Sequence, residues 1–178
     1  DSPAVILCGD VMYDCVLYYA ELADSKKQLL EELSLVNNDN LAVPFILSTI
    51  HRPENTDSAD RLYSILTALA QIAEKQPVIL PLHPRTQKII NQDKGLQKLC
   101  SSIRIIDPVS YLEMILLEKK CQIVCTDSGG VQKEAYFFRK SCITMRDQTE
   151  WVETVDAGWN VVTSGNKENI IDSWNQVI

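Results

Sequence analysis

The chain has 178 residues, 46% of them hydrophobic and 23% charged, which is typical of one globular domain with a sizeable core. Its formal net charge is -7 and its 17 basic residues are scattered, which argues against a nucleic-acid or anionic-membrane surface as the main partner. No run of about 18 apolar residues predicts a membrane span. Residues 1–4 carry neither a basic n-region nor an initiator Met, so we expect no signal peptide and a start inside a longer protein.

Apolar runs of strand length alternate with helical patterns along the chain. The candidate strands are residues 4–8, 45–49, 78–82, 103–105, 122–125, 142–145 and 160–162. Several are continuous apolar runs, as expected for strands covered on both faces of a parallel sheet. The alternation predicts an α/β fold with a Rossmann-like, doubly wound parallel sheet. The polar turn at residues 37–40 separates a linker strand and helix (residues 1–40) from a main domain (residues 41–178).

The helices are predicted from apolar residues that recur at three- and four-residue steps. Asp57 or Ser58 can cap the clearest one. The apolar stripe of this helix is Leu62, Ile65, Leu66, Leu69 and Ile72. Three helices further along have the stripes Tyr111, Met114, Ile115 and Glu118; Val131, Ala135 and Phe138; and Ile170, Ile171, Trp174 and Val177.

Six cysteines stand at positions 8, 15, 100, 121, 125 and 142. Cys121 and Cys125 flank an apolar strand, and with two histidines in the chain the usual zinc patterns are missing. We interpret the cysteines as reduced, buried thiols of a cytosolic protein. The sequence gives no sign of a metal or a redox cofactor.

Four polar clusters follow candidate strands, at residues 49–55, 82–86, 126–130 and 146–150. Because the carboxyl ends of parallel strands line one edge of a sheet and ligands bind there, these clusters predict a site at that edge. Both histidines of the chain, His51 and His83, fall in it.

The segment after the fifth candidate strand fits a phosphate followed by a ribose. Ser128 can cap a helix, and Gly129 and Gly130 let a ligand approach free N–H groups at the positive helix end. Glu134 lies one turn further on the same face, where its carboxylate can accept hydrogen bonds from two ribose hydroxyls. The alternative is an ordinary Ser cap, a glycine turn and a solvated Glu.

Two further clusters offer anion ligands. The planar fork of Arg52 suits phosphate, Glu54 could orient it, and His51 could donate to phosphate or transfer a proton. The alternative is a surface turn with a salt bridge. His83 at a strand end, with Arg85 as a second cation, either contacts the ligand or only caps the strand.

Tyr111 and Arg146 complete the candidate set. Tyr111 either contacts a base or packs in the core or rim. Arg146 either reaches a sugar or phosphate from its loop or forms a structural ion pair.

Taken together, these clusters resemble the non-hydrolysing UDP-N-acetylglucosamine 2-epimerase family. The matching pieces run in family order over almost the whole chain: Gly9-Asp10 with Asp14, His-Arg-Pro-Glu-Asn at 51–55, Leu-His-Pro at 82–84, Pro108 with Tyr111, residues 126–135, and Met-Arg-Asp at 145–147 with Thr149-Glu150. The resemblance implies two Rossmann-like domains in the GT-B arrangement, of which this chain is the UDP-binding C-terminal half.

The resemblance also implies a reaction. Members interconvert UDP-GlcNAc and UDP-ManNAc by eliminating UDP to give a 2-acetamidoglucal and adding it back on the other face. The acidic residues that move the C2 proton lie in an N-terminal domain that this chain lacks, so we expect the isolated chain to bind UDP weakly and not to epimerise. Members tend to form homodimers.

By this resemblance the candidates take roles in UDP binding. Ser128, Gly129 and Gly130 hold phosphate, Glu134 the ribose, and Tyr111 lies near the uracil. His51 is a candidate catalytic contributor near the phosphate or the proton transfer. The remaining cleft residues, contacting phosphate or lining the site, are Arg52, His83 and Arg146.

Two other functions fit the same pattern. One is the nucleotide domain of a GT-B glycosyltransferase. The His-Arg-Pro-Glu-Asn run at residues 51–55 favours the epimerase over this alternative. The other is a non-catalytic module that senses UDP-sugars.

Overall fold

The fold is built on a parallel sheet. The computed structural model describes residues 5–39 and 41–177. Within them the strands are β1 (Ile46–Thr49), β2 (Val78–Pro81), β3 (Arg104–Ile106), β4 (Ile123–Thr126), β5 (Ser141–Thr144) and β6 (Asn160–Val162). Every pairing is parallel, and the spatial order is β3-β2-β1-β4-β5-β6. This order confirms the predicted doubly wound, Rossmann-like sheet, and it reverses direction between β1 and β4.

Helices connect the strands. They are α1 (Val11–Ala23), α2 (Gln28–Glu32), α3 (Pro53–Thr56), α4 (Ala59–Ala73), α5 (Pro84–Gln92), α6 (Lys94–Leu99), α7 (Tyr111–Lys120), α8 (Gly129–Phe137), α9 (Val152–Asp156) and α10 (Lys167–Val177). Short 3-10 turns cover Asp24–Lys26 and Cys100–Ser102. No helix in the described part of the chain is long and apolar enough to cross a membrane.

Two apolar cores lie on opposite faces of the sheet because successive strand residues point to opposite sides. Ile46 packs with α4, α6 and α10, whereas the adjacent Leu47 packs with α1, α2, α7 and α8. Both side chains are completely buried. Each buried aliphatic side chain of this size stabilises the fold by about 1.5–3 kcal/mol. The continuous apolar runs in the sequence thus correspond to strands that are covered by helices on both faces of the sheet.

The N-terminal helix packs on the second face. Asp10 caps α1 by accepting the N–H of Met12 at 2.9 Å. Its carboxylate also pairs with Lys133 of α8 at 2.5 Å. Val16 and Ala23 of α1 are buried in the core beneath α7 and α8.

Most predicted elements are confirmed, and their bounds shift by one or two residues. Ser58, rather than Asp57, caps α4 by accepting the N–H of Arg61. The strand predicted at residues 4–8 is wrong for residues 5–8, which have no regular structure; Ala4 lies outside the described residues. The apolar side chains there are exposed, Leu7 by 97%, because the run pairs with no strand of the sheet.

The cysteine prediction is half right. All six thiols are free, and four of them are buried: Cys100, Cys121, Cys125 and Cys142. Cys8, which precedes α1, and Cys15 of α1 are exposed.

Candidate functional site

The candidate site lies where the order of the sheet reverses. Thr49 ends β1 and Thr126 ends β4, and the two pair directly with their hydroxyl oxygens 2.5 Å apart. Beyond this point the connections that follow β1 and β4 run in opposite directions, so their loops leave a crevice between them. One loop carries His51 and Arg52, and the other carries Asp127 and Ser128.

Asp127 joins the two loops. Its carboxylate is completely buried and accepts the N–H of His51 at 3.0 Å, the N–H of Arg52 at 2.9 Å and the side-chain amide of Asn55 at 3.1 Å. The same amide donates to the carbonyl of Met145 at 2.9 Å. A buried carboxylate is stable only with such donors, so the loop after β1 is held in one position against the loop after β4.

The sequence analysis assigned no role to Asp127 or Asn55. The available signal was an acidic residue directly after a buried strand and before a helix cap. Such a side chain cannot reach solvent easily and must find donors on the neighbouring loop.

His51 is positioned by this carboxylate. Its Nδ1 lies 3.3 Å from Oδ1 of Asp127, and its side chain is 35% exposed. Partial burial lowers the pKa of His51 below 6.5, and although Asp127 acts in the opposite direction, Arg52 and His83 lower it further. The imidazole is therefore neutral at pH 7. In the tautomer that carries its proton on Nδ1, the nitrogen nearest Asp127, Nε2 keeps a lone pair and can accept a proton.

His83 has the complementary arrangement. It caps α5, and its Nδ1 accepts the N–H of Arg85 at 3.2 Å. A neutral imidazole that accepts at Nδ1 carries its proton on Nε2, so His83 can donate a hydrogen bond. The rings of His51 and His83 are 5.9 Å apart. His83 thus caps helix α5 and also lines the crevice, and its contact with a ligand stays a prediction.

The crevice has a volume of about 220 Å³. Its polar lining comes from His51, His83 and Ser128, and its apolar lining includes Val109, Met114 and Val131. A mainly apolar groove with a few convergent polar groups is the usual form of a small-ligand site.

Ser128 caps α8, as predicted. Its hydroxyl accepts the N–H of Val131 at 3.5 Å, and its own N–H donates to Thr126 Oγ1 at 2.9 Å. The first helical turn leaves the N–H groups of Gly129 and Gly130 without intrahelical acceptors. A Cβ at Gly129 would collide with the carboxylate of Glu150, whereas one at Gly130 would lie 3.9 Å from Ser128 Oγ. Packing against Glu150 is thus a second reason for glycine at position 129.

The two candidate arginines, Arg146 and Arg52, differ in whether their guanidinium groups pair with carboxylates. Arg146 is 13% exposed; its Nε donates to Glu54 at 3.0 Å and its Nη1 to Glu150 at 2.7 Å. The prediction that Glu54 orients Arg52 is therefore wrong, because Glu54 reaches across to Arg146 instead. Arg52 has a buried Nε with no hydrogen-bond partner within residues 5–39 and 41–177. Arg52 is not among the residues that line the crevice, and its charge helps to lower the pKa of Glu150.

Glu134 lies one turn into α8, with 9% of its surface exposed. The hydroxyl of Tyr111, the first residue of α7, donates to its Oε1 at 3.1 Å. Burial raises the pKa of Glu134, and the hydrogen bond from Tyr111 opposes this shift. The ring of Tyr111 packs edge-on against Tyr19 of α1, with centroids 5.3 Å apart. Contact of Tyr111 with a base stays a prediction.

A second buried carboxyl group lies behind Glu134. Glu118 of α7 is completely buried next to it. The sequence analysis placed Glu118 only on the stripe of a predicted helix. Its position four residues after Met114 on an otherwise apolar stripe was the signal that a carboxyl group is buried there.

These features define a class of protein. A helix start with free N–H groups and two histidines meet at the switch point of a doubly wound sheet, and the buried carboxylate of Glu134 lies one turn further along the same helix. Such a crevice is typical of the Rossmann-like domains that bind anionic, nucleotide-type ligands.

The chain belongs to the UDP-N-acetylglucosamine 2-epimerase family, whose model matches residues 1–178. It is 48% identical over 170 residues to the UDP-2,3-diacetamido-2,3-dideoxy-D-glucuronate 2-epimerase of Pseudomonas aeruginosa, covering 95% of this chain and 44% of that protein. It is 44% identical over 168 residues to a UDP-N-acetylglucosamine 2-epimerase homolog of Methanococcus maripaludis, covering 93% and 45%. The chain thus spans about half the length of these relatives.

Solved structures show the same fold. The UDP-GlcNAc 2-epimerase of Methanocaldococcus jannaschii in complex with UDP-GlcNAc and UDP matches with a TM-score of 0.86 at 34% identity, over 99% of this chain and 49% of that one. The UDP-GlcNAc 2-epimerase of Neisseria meningitidis bound to UDP-GlcNAc matches with a TM-score of 0.81 at 30% identity, over 97% and 46%.

Proposed function

We propose that this chain is the UDP-binding half of an enzyme that interconverts UDP-GlcNAc and UDP-ManNAc. Residues 1–40 lead in from an N-terminal domain, and residues 41–178 form the nucleotide domain of a GT-B pair. The family membership and the coverage of about half of each relative support this division. We place the enzyme in the cytoplasm, in the synthesis of nucleotide sugars for polysaccharides, and as a homodimer when full length.

The spacing of two features carries the proposal. The free N–H groups of Gly129 and Gly130 suit a diphosphate, and the carboxylate of Glu134 lies one helical turn of about 5.4 Å away. A nucleoside diphosphate has its ribose next to its phosphates, so one ligand can reach both. Arg52, next to His51 in the chain, adds a charged donor whose Nε has no hydrogen-bond partner within the described residues. Ser128 then contacts phosphate from the cap of α8, and Tyr111 lies close to the uracil.

The two histidines have distinct parts in this proposal. His83 donates from Nε2 to the diphosphate and stabilises the negative charge that develops when UDP leaves. His51, held neutral beside Asp127, is the candidate for accepting or returning a proton near the departing phosphate. Arg146 supports the crevice through Glu54 and Glu150.

Titration with UDP by calorimetry tests the binding site. Glu134→Ala and Ser128→Ala each remove a hydrogen bond to the ligand, which costs about 1.5–3 kcal/mol where a charged group takes part. This corresponds to about a tenfold or greater loss of affinity. Glu74→Ala, at an exposed position in the C-cap of α4, is the control and should bind UDP like the parent. Unchanged binding by both site variants would exclude this assignment.

Activity is tested on the full-length protein. Incubation with UDP-GlcNAc and no acceptor, followed by chromatography, should yield UDP-ManNAc. A glycosyltransferase needs an acceptor and a sensing module leaves the sugar unchanged, so recovery of pure UDP-GlcNAc would refute the epimerase.

A second candidate substrate has its own support. The 48% identity to the Pseudomonas aeruginosa enzyme favours a UDP-2,3-diacetamido-2,3-dideoxyglucuronate. The same assay with this sugar nucleotide decides between the two. Faster conversion of the uronate than of UDP-GlcNAc would assign the enzyme to the second substrate without changing the proposed UDP site.

A further inference from the structure

Glu118 is a buried carboxyl group without a donor. It lies in the third turn of α7 with 0% of its surface exposed. Neither of its oxygens accepts a hydrogen bond from an N–H or hydroxyl group of the residues that the structure describes. An ionised carboxylate in such a place is far less stable than a protonated one, because nothing replaces the water it has lost.

The group that faces Glu118 is the carboxyl of Glu134 on the neighbouring helix α8, and the two can share a hydrogen bond once one of them is protonated. Two carboxylates cannot hydrogen-bond to each other, but an acid and a carboxylate can. Burial, together with the neighbouring Glu134, raises the pKa of Glu118 well above 4.5. No cation is among the groups that act on this pair; its titratable neighbours are Tyr111 of α7, Cys15 of α1, Cys121 after α7 and Cys142 of β5.

We propose that Glu118 is a positioning residue, which keeps its proton and donates it to Glu134 so that the Glu134 carboxylate is held for the ribose hydroxyls. This inference rests on the proposed UDP site. Glu134 then receives two hydrogen bonds from the protein, one from Tyr111 at 3.1 Å and one from Glu118. Both come from α7, which fixes the carboxylate between the two helices. Its remaining lone pairs are free to accept from the ligand.

The test uses two ligands and two variants of the 178-residue chain. UDP and 2′,3′-dideoxy-UDP, which lacks the ribose hydroxyls, are titrated by calorimetry. Glu118→Leu removes the donor, and Glu118→Gln keeps a donor that cannot titrate. Glu74→Gln makes the same chemical change at an exposed position. A 13C NMR titration of the glutamate side-chain carboxyls measures the proton directly.

We expect Glu118→Leu to bind UDP about tenfold more weakly, as for the loss of one charge-assisted hydrogen bond, and to bind the dideoxy ligand like the parent. Glu118→Gln should match the parent at pH 7. At higher pH the parent should lose UDP affinity relative to Glu118→Gln, because only the parent loses its donor. One glutamate carboxyl should be protonated at pH 7 in the parent and absent in Glu118→Gln.

Three results would overturn the inference. They are UDP binding by Glu118→Leu at parental strength or better, an equal loss for both ligands, and a parent in which every glutamate is ionised at pH 7. A parent that binds no UDP, or binds both ligands equally, would instead refute the proposed ribose site and the role of Glu118 in it. The NMR titration would still decide whether Glu118 holds a proton.

Discussion

Replacing Asp127 by Asn tests whether the buried carboxylate organises the site. Three donors meet this group: the N–H groups of His51 and Arg52 and the side-chain amide of Asn55, at 2.9–3.1 Å. A hydrogen bond to a charged group contributes about 1.5–3 kcal/mol and a neutral one about 0.5–1.5 kcal/mol, so losing the charge costs about 1 kcal/mol per donor. We therefore expect Asp127→Asn to lower the free energy of unfolding by about 3 kcal/mol.

Urea unfolding followed by tryptophan fluorescence measures this difference. The matched control is Asp147→Asn, which makes the same change in a largely exposed ion pair with Arg61 and should cost less than about 1 kcal/mol. UDP titration of both variants should show a loss of affinity only for Asp127→Asn, because only that change loosens the loop that carries His51 and Arg52. If the two variants unfold at the same urea concentration, Asp127 does not organise the crevice.

Three further predictions follow from single residues. Gly129→Ala should lower the stability by less than about 1 kcal/mol, because its Cβ displaces the partly exposed Glu150 carboxylate from its ion pair with Arg146. Gly130→Ala should unfold at or above the parental temperature, so equal melting temperatures of the two variants would contradict this. Glu118→Gln should become more stable than the parent as the pH rises above 4.5. The reason is that the folded parent keeps a proton on Glu118 that its unfolded chain releases, so the parent alone loses stability. Parallel pH–stability curves of the two proteins would show that Glu118 titrates normally. The pKa of His51, measured by proton NMR, should lie below 6.5. The free energy of unfolding should then fall as the pH drops below 6.5, because the unfolded chain takes up the proton before the folded one does. A midpoint above 6.5 would mean that Asp127 outweighs burial.

The sheet was predictable because its signals are local. A run such as residues 122–125 is apolar on both faces, and this happens when a strand is buried in the middle of a parallel sheet. Residues 5–8 are similarly apolar, but no strand lies beside them in the described part of the chain, and composition alone does not show whether a pairing strand exists. The spatial order of the strands likewise depends on contacts between distant segments.

The site was predictable in its location but not in its internal pairing. Clusters after strands must meet at one edge, so His51, His83 and Ser128 line one crevice. Which charges pair is decided by geometry: Glu54 is two residues from Arg52 yet binds Arg146, because α3 turns its side chain toward the loop after β5. Residues such as Glu118 and Asn55 act through buried contacts across the fold, which sequence spacing does not show.

The way the two loops are joined bears on whether this half of the enzyme can bind UDP alone. The loops after β1 and β4 are tied by Asp127, and the Thr49 and Thr126 hydroxyls join the strands that precede them. Glu134 is held from α7 by Tyr111, a contact within the same domain. The backbone of His51 and Arg52 and the carboxylate of Glu134 are therefore positioned before the nucleotide arrives, so little ordering of these groups opposes binding. In the proposed enzyme a second domain completes the site around the sugar, so we expect the isolated chain to show UDP affinity without epimerase activity.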